Sequence, residues 1–510
     1  MKSSRKGFIR SLAGLAAMGA GGCFTFGRGD RIRLAAVGVG GKGFSDWLPM
    51  VESGKAELVA LCDADFRQIG AAQARLNKLN KHRNIMGIPF YSDYRRLMDD
   101  ISCGRINVDA MTVSTPDHMH AAIAISAMKL GVSVYVQKPL VRTHWELDLF
   151  SRTARDYGVV TQMGNQASAL PGVRRGAEVM RSGIIGDVRE VHAWTDRPVW
   201  PQGLKAASSV NGPADEIPRG LDWNAWLGVA EERPYRGRLS GTAKGYDPMA
   251  LCPCIYHPFS WRGFFDFGAG AFGDMACHNL NMPFRGLELG SVKSAECVLI
   301  EEKNDIAFPL KSTVKLTYAE RDSKARPGVR LPECVLYWYD GQQVPSAELM
   351  PEVVATMGAV PRSGCFIIGS KGRVFTNDNG SKCYLALAGE KKLVDFTKHE
   401  AAMAVERSIP FRSDAKATMA VESGAAAVSA DGHYVEFLDA INGVGPVFGD
   451  TNSRCFADVA YSVPLMEGIL CGCVAQRVPG LLKWDAASRQ FDVAAANDLL
   501  RPYVRKGFEF

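Results

Sequence analysis

The stretch Ile32-Arg33-Leu34-Ala35-Ala36-Val37-Gly38-Val39-Gly40-Gly41-Lys42-Gly43 decides how the chain is read. Ile32 to Val37 is a short apolar run of strand length, and the glycines that follow obey a G-x-G-x-x-G spacing at a strand-to-helix turn. Gly38 permits the tight turn, Gly40 and its neighbour Gly41 let the backbone approach a pyrophosphate, and Gly43 allows the helix to pack closely on the strand. The helix N-terminus then offers amide donors to the anion. Asp63 ends the next apolar run, Leu58 to Cys62, where a carboxylate accepts hydrogen bonds from ribose hydroxyls. These residues together point to a dinucleotide. A carboxylate at 63 repels a 2′-phosphate, so NAD is expected over NADP, with Arg67 a nearby group able to offset that preference.

Working outward, Val108 to Val113, Val132 to Val136 and Val159 to Met163 are further apolar runs, as expected of parallel strands buried on both faces. Helix-length segments separate them, the β-α-β alternation of a doubly wound sheet. Asp117 is expected to open a helix that Gly131 stops, and Thr143 with Glu146 forms a capping box for a helix ending near Gly158. The fold class expected is α/β: a Rossmann domain over 30–165, then a larger α/β domain over 166–510 with a mostly antiparallel open sheet and helices on one face. Ala295 to Ile300, Ser312 to Tyr318 and Cys334 to Tyr339 read as its strands, and residues 366–375 as two short strands around a turn.

The net charge of +6 is concentrated at one end: Lys2, Arg5, Lys6 and Arg10 lie in the first ten residues with no acid among them. No basic stripe of the kind nucleic-acid binders need follows, so nucleic acid is set aside. Residues 1–29 read as an export signal, a basic stretch followed by weakly apolar Ser11 to Phe26. Ser4-Arg5-Lys6-Gly7-Phe8-Ile9-Arg10 resembles a twin-arginine signal, with Lys6 in place of the second arginine. A periplasmic or membrane-anchored protein is expected, with Cys23 a candidate for lipid modification and no transmembrane span in the mature chain. Thirteen cysteines, an odd number and several inside apolar runs, suggest buried inert thiols rather than a disulfide framework. Neither Cys252-Pro-Cys254 nor Cys471-Gly-Cys473 has the spacing of a structural zinc site, and no metal is expected.

Thr115-Pro116-Asp117-His118-Met119-His120 and Gln137-Lys138-Pro139 follow successive strands on the carboxyl edge, where doubly wound sheets bind ligands. These segments resemble the Gfo/Idh/MocA oxidoreductases, in which a T-P-x-x-x-H segment lies against the cofactor and an E-K-P motif supplies the catalytic lysine. Gln137 stands here in place of the glutamate. Gly164-Asn165-Gln166 is similar to the family segment that enters the active site. Tyr256-His257-Pro258-Phe259, Trp261-Arg262-Gly263, Asp266-Phe267-Gly268, Gly273-Asp274-Met275-Ala276-Cys277-His278 and the segments around Glu467, Trp484 and Lys506 resemble a secreted branch. The resemblance implies cofactor contacts from Thr115, His118, His120, Gln137, Lys138 and Asn165, and a homo-oligomer paired through the second sheet.

Asp274 and His278 are four apart and share a helix face, and the family places a D-x-x-x-H pair beside the reacting carbon. Oxidising a secondary alcohol removes a hydride from carbon and a proton from oxygen. Lys138 is the expected proton relay, with His278 on the same hydroxyl and Asp274 orienting sugar or imidazole. The bland readings are a helix cap for Asp274, a packed His278, a surface Lys138, and core tryptophans at 194, 200, 223, 226 and 261 rather than sugar-stacking ones. The expected function is hydride transfer between a tightly held NAD and a ring hydroxyl of a sugar, glycoside or polyol. The alternatives are an NAD-dependent glycoside hydrolase that oxidises C3 transiently and eliminates the aglycone, and an inactive carbohydrate-binding relative, for which Gln137 is the main support.

Overall fold

The glycine-rich turn joins β1 (Ile32–Val37) to a helix over Gly41–Glu52, as the spacing predicts. The computed structural model describes residues 31–237, 255–412, 432–449 and 452–510. The leader, Cys23 and the Cys252-Pro-Cys254 pair lie outside them. β2 (Ala56–Cys62), β3 (Phe90–Tyr91), β4 (Ala110–Val113), β5 (Ser133–Gln137) and β6 (Thr161–Gly164) complete a six-stranded parallel sheet in the order β3-β2-β1-β4-β5-β6. The order reverses between β1 and β4, the switch point outside whose strand ends doubly wound sheets form a binding crevice. β3 escapes sequence reading because two residues carry no pattern.

Two helix starts show how local sequence fixes the loops around that crevice. Thr143 caps the helix His144–Tyr157: its Oγ1 accepts from Glu146 N at 3.3 Å, and Glu146 Oε2 accepts from Thr143 N at 3.0 Å. Gly158, at φ 63°, ends it in the left-handed region. Asp117, expected to open a helix, instead starts a 3-10 turn over Asp117–Met119, and the α-helix runs from His120 to Lys129. Its carboxyl is buried and makes no cap bond, because it is turned toward other charges described below.

The second sheet has ten strands. β7 (Val188–Trp194) lies near its middle, followed in the chain by β8 (Val292–Glu301) and β9 (Lys311–Tyr318). β10 (Arg321–Asp322) and β11 (Arg330–Leu331) form a separate ribbon. β12 (Cys334–Tyr339), β13 (Gly364–Gly369), β14 (Gly372–Thr376), β15 (Cys383–Leu387), β16 (Val394–Asp395), β17 (Leu482–Asp485) and β18 (Gln490–Phe491) complete the set. The order is β16-β15-β14-β13-β7-β12-β9-β8-β17-β18, antiparallel throughout except between β7 and β12. Along β12, Cys334, Leu336 and Trp338 are buried while Val335, Tyr337 and Tyr339 are half-buried, the alternation of a sheet covered on one face.

Helices Gly270–Asn279 and Val459–Ala475 cover that face, and the latter also touches the helix His144–Tyr157 and β6. It is buried nearly all round because it lies between the two sheets. Helix Gly432–Ile441 returns to the first sheet, where Tyr434, Phe437 and Leu438 join the core around Trp47. The tryptophans at 194, 200, 223, 226 and 261 are all core residues, at 0 to 7% exposure. The ten described cysteines are unpaired and eight are buried, where desolvation pushes thiols such as Cys277 up to about 12. No described helix is long and apolar enough to cross a membrane.

Replacing Thr143 by Ala removes one side of the capping box beside the crevice. We expect a loss of about 1 kcal/mol, read as a lower urea midpoint with an unchanged slope; an unaltered midpoint would show that Glu146 alone holds the turn.

Candidate active site

Every carboxyl end of the central strands delivers a functional segment to the crevice. At β1 the glycines are forced by contact. A Cβ on Gly43 would stand 1.8 Å from Gly38 O, and one on Gly38, itself at φ +80°, would stand 2.6 Å from Ser114 O. Gly41 faces open space, and a Cβ on Gly40 would meet Gln68 Oε1 at 1.9 Å, which places the Gln68 amide over the glycine turn. At the end of β2, Asp63 Oδ2 accepts from Val39 N at 2.8 Å and Oδ1 from Asp65 N at 3.0 Å. Burial pushes the Asp63 carboxyl up against the pull of those two N–H groups. Each oxygen retains a lone pair for a ribose hydroxyl. Arg67 turns its fork away onto Asp65, at 2.7 Å from both Nε and Nη2.

At β4, Thr115 Oγ1 is buried and, among the described residues, has no hydrogen-bond partner. A buried hydroxyl without a partner at this edge, a turn that a Cβ at Gly38 or Gly43 would block and a carboxylate with spare acceptors fit a dinucleotide lying across the turn. His120 spans the loops after β4 and β5, with Nδ1 2.8 Å from Pro139 O and Nε2 3.0 Å from Thr115 O. His118 points elsewhere: Nε2 lies 3.1 Å from Trp226 O, and the ring packs edge-on against Phe267.

At β5, Gln137 donates to both oxygens of Asp46, at 3.0 and 2.9 Å. Asp46 is fully buried and also accepts from Ser114 Oγ at 2.7 Å, from Tyr434 OH at 2.8 Å and from Lys42 Nζ. Gly164 lets this happen, since a Cβ there would stand 2.5 Å from Gln137 Nε2. The motif departure at 137 therefore has a partner. The carboxylate sits on the helix at 46, and a glutamate at 137 would bring a second one against it. Sequence reading missed Asp46 and Tyr434; the signal was an acid four residues after Lys42 and next to Trp47, on the face a helix buries.

The next residue carries the cluster. Lys138 Nζ donates to Asp274 Oδ1 at 2.8 Å and to Asp274 O at 3.1 Å, with both side chains mostly buried. Asp274 lies in the second turn of helix Gly270–Asn279, whose N-cap is Ala269, so it is not a cap. Arg262 Nε approaches the same oxygen at 3.4 Å while its guanidinium lies against the Trp261 and Phe259 rings. Burial would raise the Asp274 carboxyl, but Lys138 and Arg262 outweigh it and hold it at about 2. His278, one turn on, is lowered to about 3 by desolvation and then by the Lys138 charge, so its ring is neutral at pH 7. Asn165, at the end of β6, donates to Cys277 O at 2.9 Å and ties the sheet edge to this helix. Arg262 falls within the Trp261-Arg262-Gly263 motif, which by itself carries no sign of this role.

Asp117 completes the cluster. Burial, then the neighbouring Asp274 charge, pushes its carboxyl up to about 8. It holds its proton at neutral pH.

Residues 32–165 match the model of the GFO_IDH_MocA family, described as an oxidoreductase family with an NAD-binding Rossmann fold. The chain is 25% identical over 134 residues to 2,7-anhydro-N-acetylneuraminate hydratase of Mediterraneibacter gnavus, covering 24% of this chain and 36% of that protein. It is 32% identical over 164 residues to a glycosyl hydrolase family 109 protein of Solibacter usitatus, covering 29% and 36%. The chain thus spans about a third of the length of the curated relatives it matches. The fold is shared with an inositol dehydrogenase homolog from Azotobacter vinelandii, solved with NADH and myo-inositol, at a TM-score of 0.54 and 15% identity over 89% of this chain and 98% of that one.

Two outcomes check this geometry. Gln137→Glu should destabilise the fold by roughly 2 kcal/mol, and adding Asp46→Asn should restore most of the loss; equal losses in the single and double variants would deny the pairing. Asp117 keeps its proton in the fold to about pH 8 but loses it near 3.8 when unfolded, so its contribution to stability is whole below 3.8 and declines as pH rises to about 8. Above that value its charge competes with Asp274 for Lys138. We expect Asp117→Asn to extend the alkaline limb of the pH–rate profile, and an unmoved limb would count against it.

Proposed function

We propose that this chain, whose residues 32–165 belong to the Gfo/Idh/MocA oxidoreductase family, transfers hydride between NAD and a ring hydroxyl of a sugar, glycoside or polyol. The observation that carries the proposal is the buried Lys138–Asp274 pair at the carboxyl edge of β5, with a neutral His278 one helical turn away. When bound, the nicotinamide supplies or accepts the hydride. Gly38, Gly40, Gly41 and Gly43 would hold its pyrophosphate, Asp63 the ribose, and Thr115 a polar atom nearby. Arg67 is engaged by Asp65, which supports NAD over NADP.

Lys138 handles the proton. In the reducing direction its ammonium donates to the alkoxide oxygen. In the oxidising direction its amine accepts the hydroxyl proton, and Asp274 stabilises the ammonium so formed. His278 hydrogen-bonds the same oxygen as a neutral ring and adds no charge that would repel the lysine. The cluster offers two cations, one carboxylate, one protonated carboxyl and one neutral imidazole. Such a mixture suits a neutral ligand whose hydroxyls both donate and accept. The names of the compared proteins, which include an anhydrosugar hydratase and a structure with myo-inositol, support a polyhydroxylated substrate.

The similarity to a family 109 glycosyl hydrolase favours a second reading, in which oxidation at C3 is transient and an aglycone is expelled. The same lysine and histidine would serve the oxidation and re-reduction. Residues 1–29 we read as an export leader, on the basic cluster Arg5, Lys6 and Arg10. Export would favour a nucleotide that stays bound and is recycled in place.

One preparation tests these points. Mass spectrometry of protein recovered from outside the cytoplasm should show an N-terminus inside the 11–29 window and a co-purifying NAD or NADH. Candidate glycosides should then change the reduced-nicotinamide absorbance, and Lys138→Ala should retain the nucleotide while turnover falls about 10²- to 10⁴-fold. Keto-sugar formed in step with an electron acceptor marks the dehydrogenase; free sugar released from an aryl glycoside without added NAD marks the hydrolase. A nucleotide-free protein, or undiminished turnover in Lys138→Ala, would sink both.

A further inference from the structure

The fold encloses a cavity of about 220 Å³ whose lining contains none of Lys138, Asp274 and His278. Arg142, Arg477 and Arg501 line it, together with Glu231, Asp498 and Asp266. Asp266 is already bound by Arg233 at 2.5 Å. Among the described residues no carboxylate lies within ion-pair distance of the three arginines. Their contacts are of another kind: Arg142 Nη1 donates to Phe265 O at 2.7 Å, Arg477 lies 4.3 Å over the Phe265 ring, and Arg501 lies 4.7 Å over the Trp145 ring. Arg142 Nε is buried without any partner. Arg142 and Arg477 also feel each other as like charges. Acids act on them only from a distance, Asp266 and Asp305 on Arg477 and Glu146 and Asp117 on Arg142, so these guanidinium groups lack the direct ion pair that a purely structural arginine normally finds.

We propose that this cavity is a second ligand site, for a small hydroxylated organic anion such as a sugar acid or a sugar phosphate. Planar guanidinium forks match carboxylate and phosphate oxygens, which supplies the missing counter-charge. Glu231 and Asp498 cannot contact that anionic group favourably, but they accept hydrogen bonds from hydroxyls on the rest of the ligand. The volume lies below the range of drug-sized pockets, so it admits a monosaccharide-sized molecule and excludes a dinucleotide. The position gives the site a consequence. Arg142 lies four residues beyond Lys138, and Gly268 and Ala269 in the lining immediately precede the helix that carries Asp274 and His278. A bound anion therefore braces both arms of the catalytic cluster, and its occupancy is coupled to nucleotide affinity.

The test is calorimetric titration of the full chain, with its nucleotide, using gluconate, glucose 6-phosphate, inorganic phosphate and glucose as probes. Saturable binding of gluconate or glucose 6-phosphate is expected, and which of the two binds more tightly distinguishes carboxylate from phosphate. Arg477→Gln and Arg501→Gln should each weaken it about tenfold; Arg501 is exposed, so its variant folds even if the other does not. Saturating probe should shift NADH affinity, followed by fluorescence, about fivefold. The proposal is overturned by absent binding, by equal binding of glucose or inorganic phosphate, by binding that both folded variants leave intact, or by an unmoved NADH affinity. None of these readouts needs turnover, so failure here and failure of the redox reading are separable.

Discussion

The ion pair between Lys138 and Asp274 joins two parts of the chain 136 residues apart, one at a strand tip of the first sheet and one on a helix of the second. Burying two opposite charges is expensive, and their mutual attraction offsets the desolvation only when the remaining donors and acceptors are also satisfied. Here they are. The ammonium has the Asp274 carbonyl as a second acceptor, and the carboxylate has Arg262 as a second cation. Apolar residues of similar volume would serve stability as well. What the pair adds is a fixed distance between a group able to move a proton and the helix face that carries His278.

The same field separates two acids that are close neighbours. Asp274, flanked by two cations, is held at about 2, while Asp117, which faces the Asp274 charge from a fully desolvated place, rises to about 8. One carboxyl is charged and the other neutral at pH 7, though both are aspartates. Environments that drive like groups apart in this way mark acid–base chemistry more often than they mark structure. His278 follows the same logic with the opposite sign: burial, and then the Lys138 charge, disfavour a second cation, so the ring stays neutral.

Much of this was legible in the sequence because local rules and tertiary structure agree there. The glycine turn, the capping box at Thr143 and Glu146, and the strands read at 295–300, 312–318 and 334–339 follow from spacing and periodicity alone. The cluster itself was legible only in part. Lys138, Asp274 and His278 fall at motif positions, whereas Arg262 and Asp117 acquire their roles from charges that come from elsewhere in the chain. Asp46 and Tyr434 were invisible for the same reason: their contact spans 388 residues, and no periodicity reports a pair of that kind. The helix starts at His120 and not at Asp117: an aspartate after a strand reads as a cap, but burial and the Asp274 charge keep this carboxyl protonated and away from a helix end.

Gln137 shows why a motif is better judged by its surroundings than by its letters. Taken alone, the replacement of an acid by an amide beside the lysine suggests lost function. The fold places a buried carboxylate at Asp46, within 3.0 Å of the amide, and three further donors converge on it. An amide at 137 can donate to that carboxylate, and a second acid cannot do so without taking up a proton. Gly164 leaves room for the amide, and Tyr434 on the late helix closes the ring of donors. A chain drifting toward inactivity has no need to keep four donors on one buried carboxylate, so the amide reads as half of a compensated pair, and the lysine beside it keeps its fixed position.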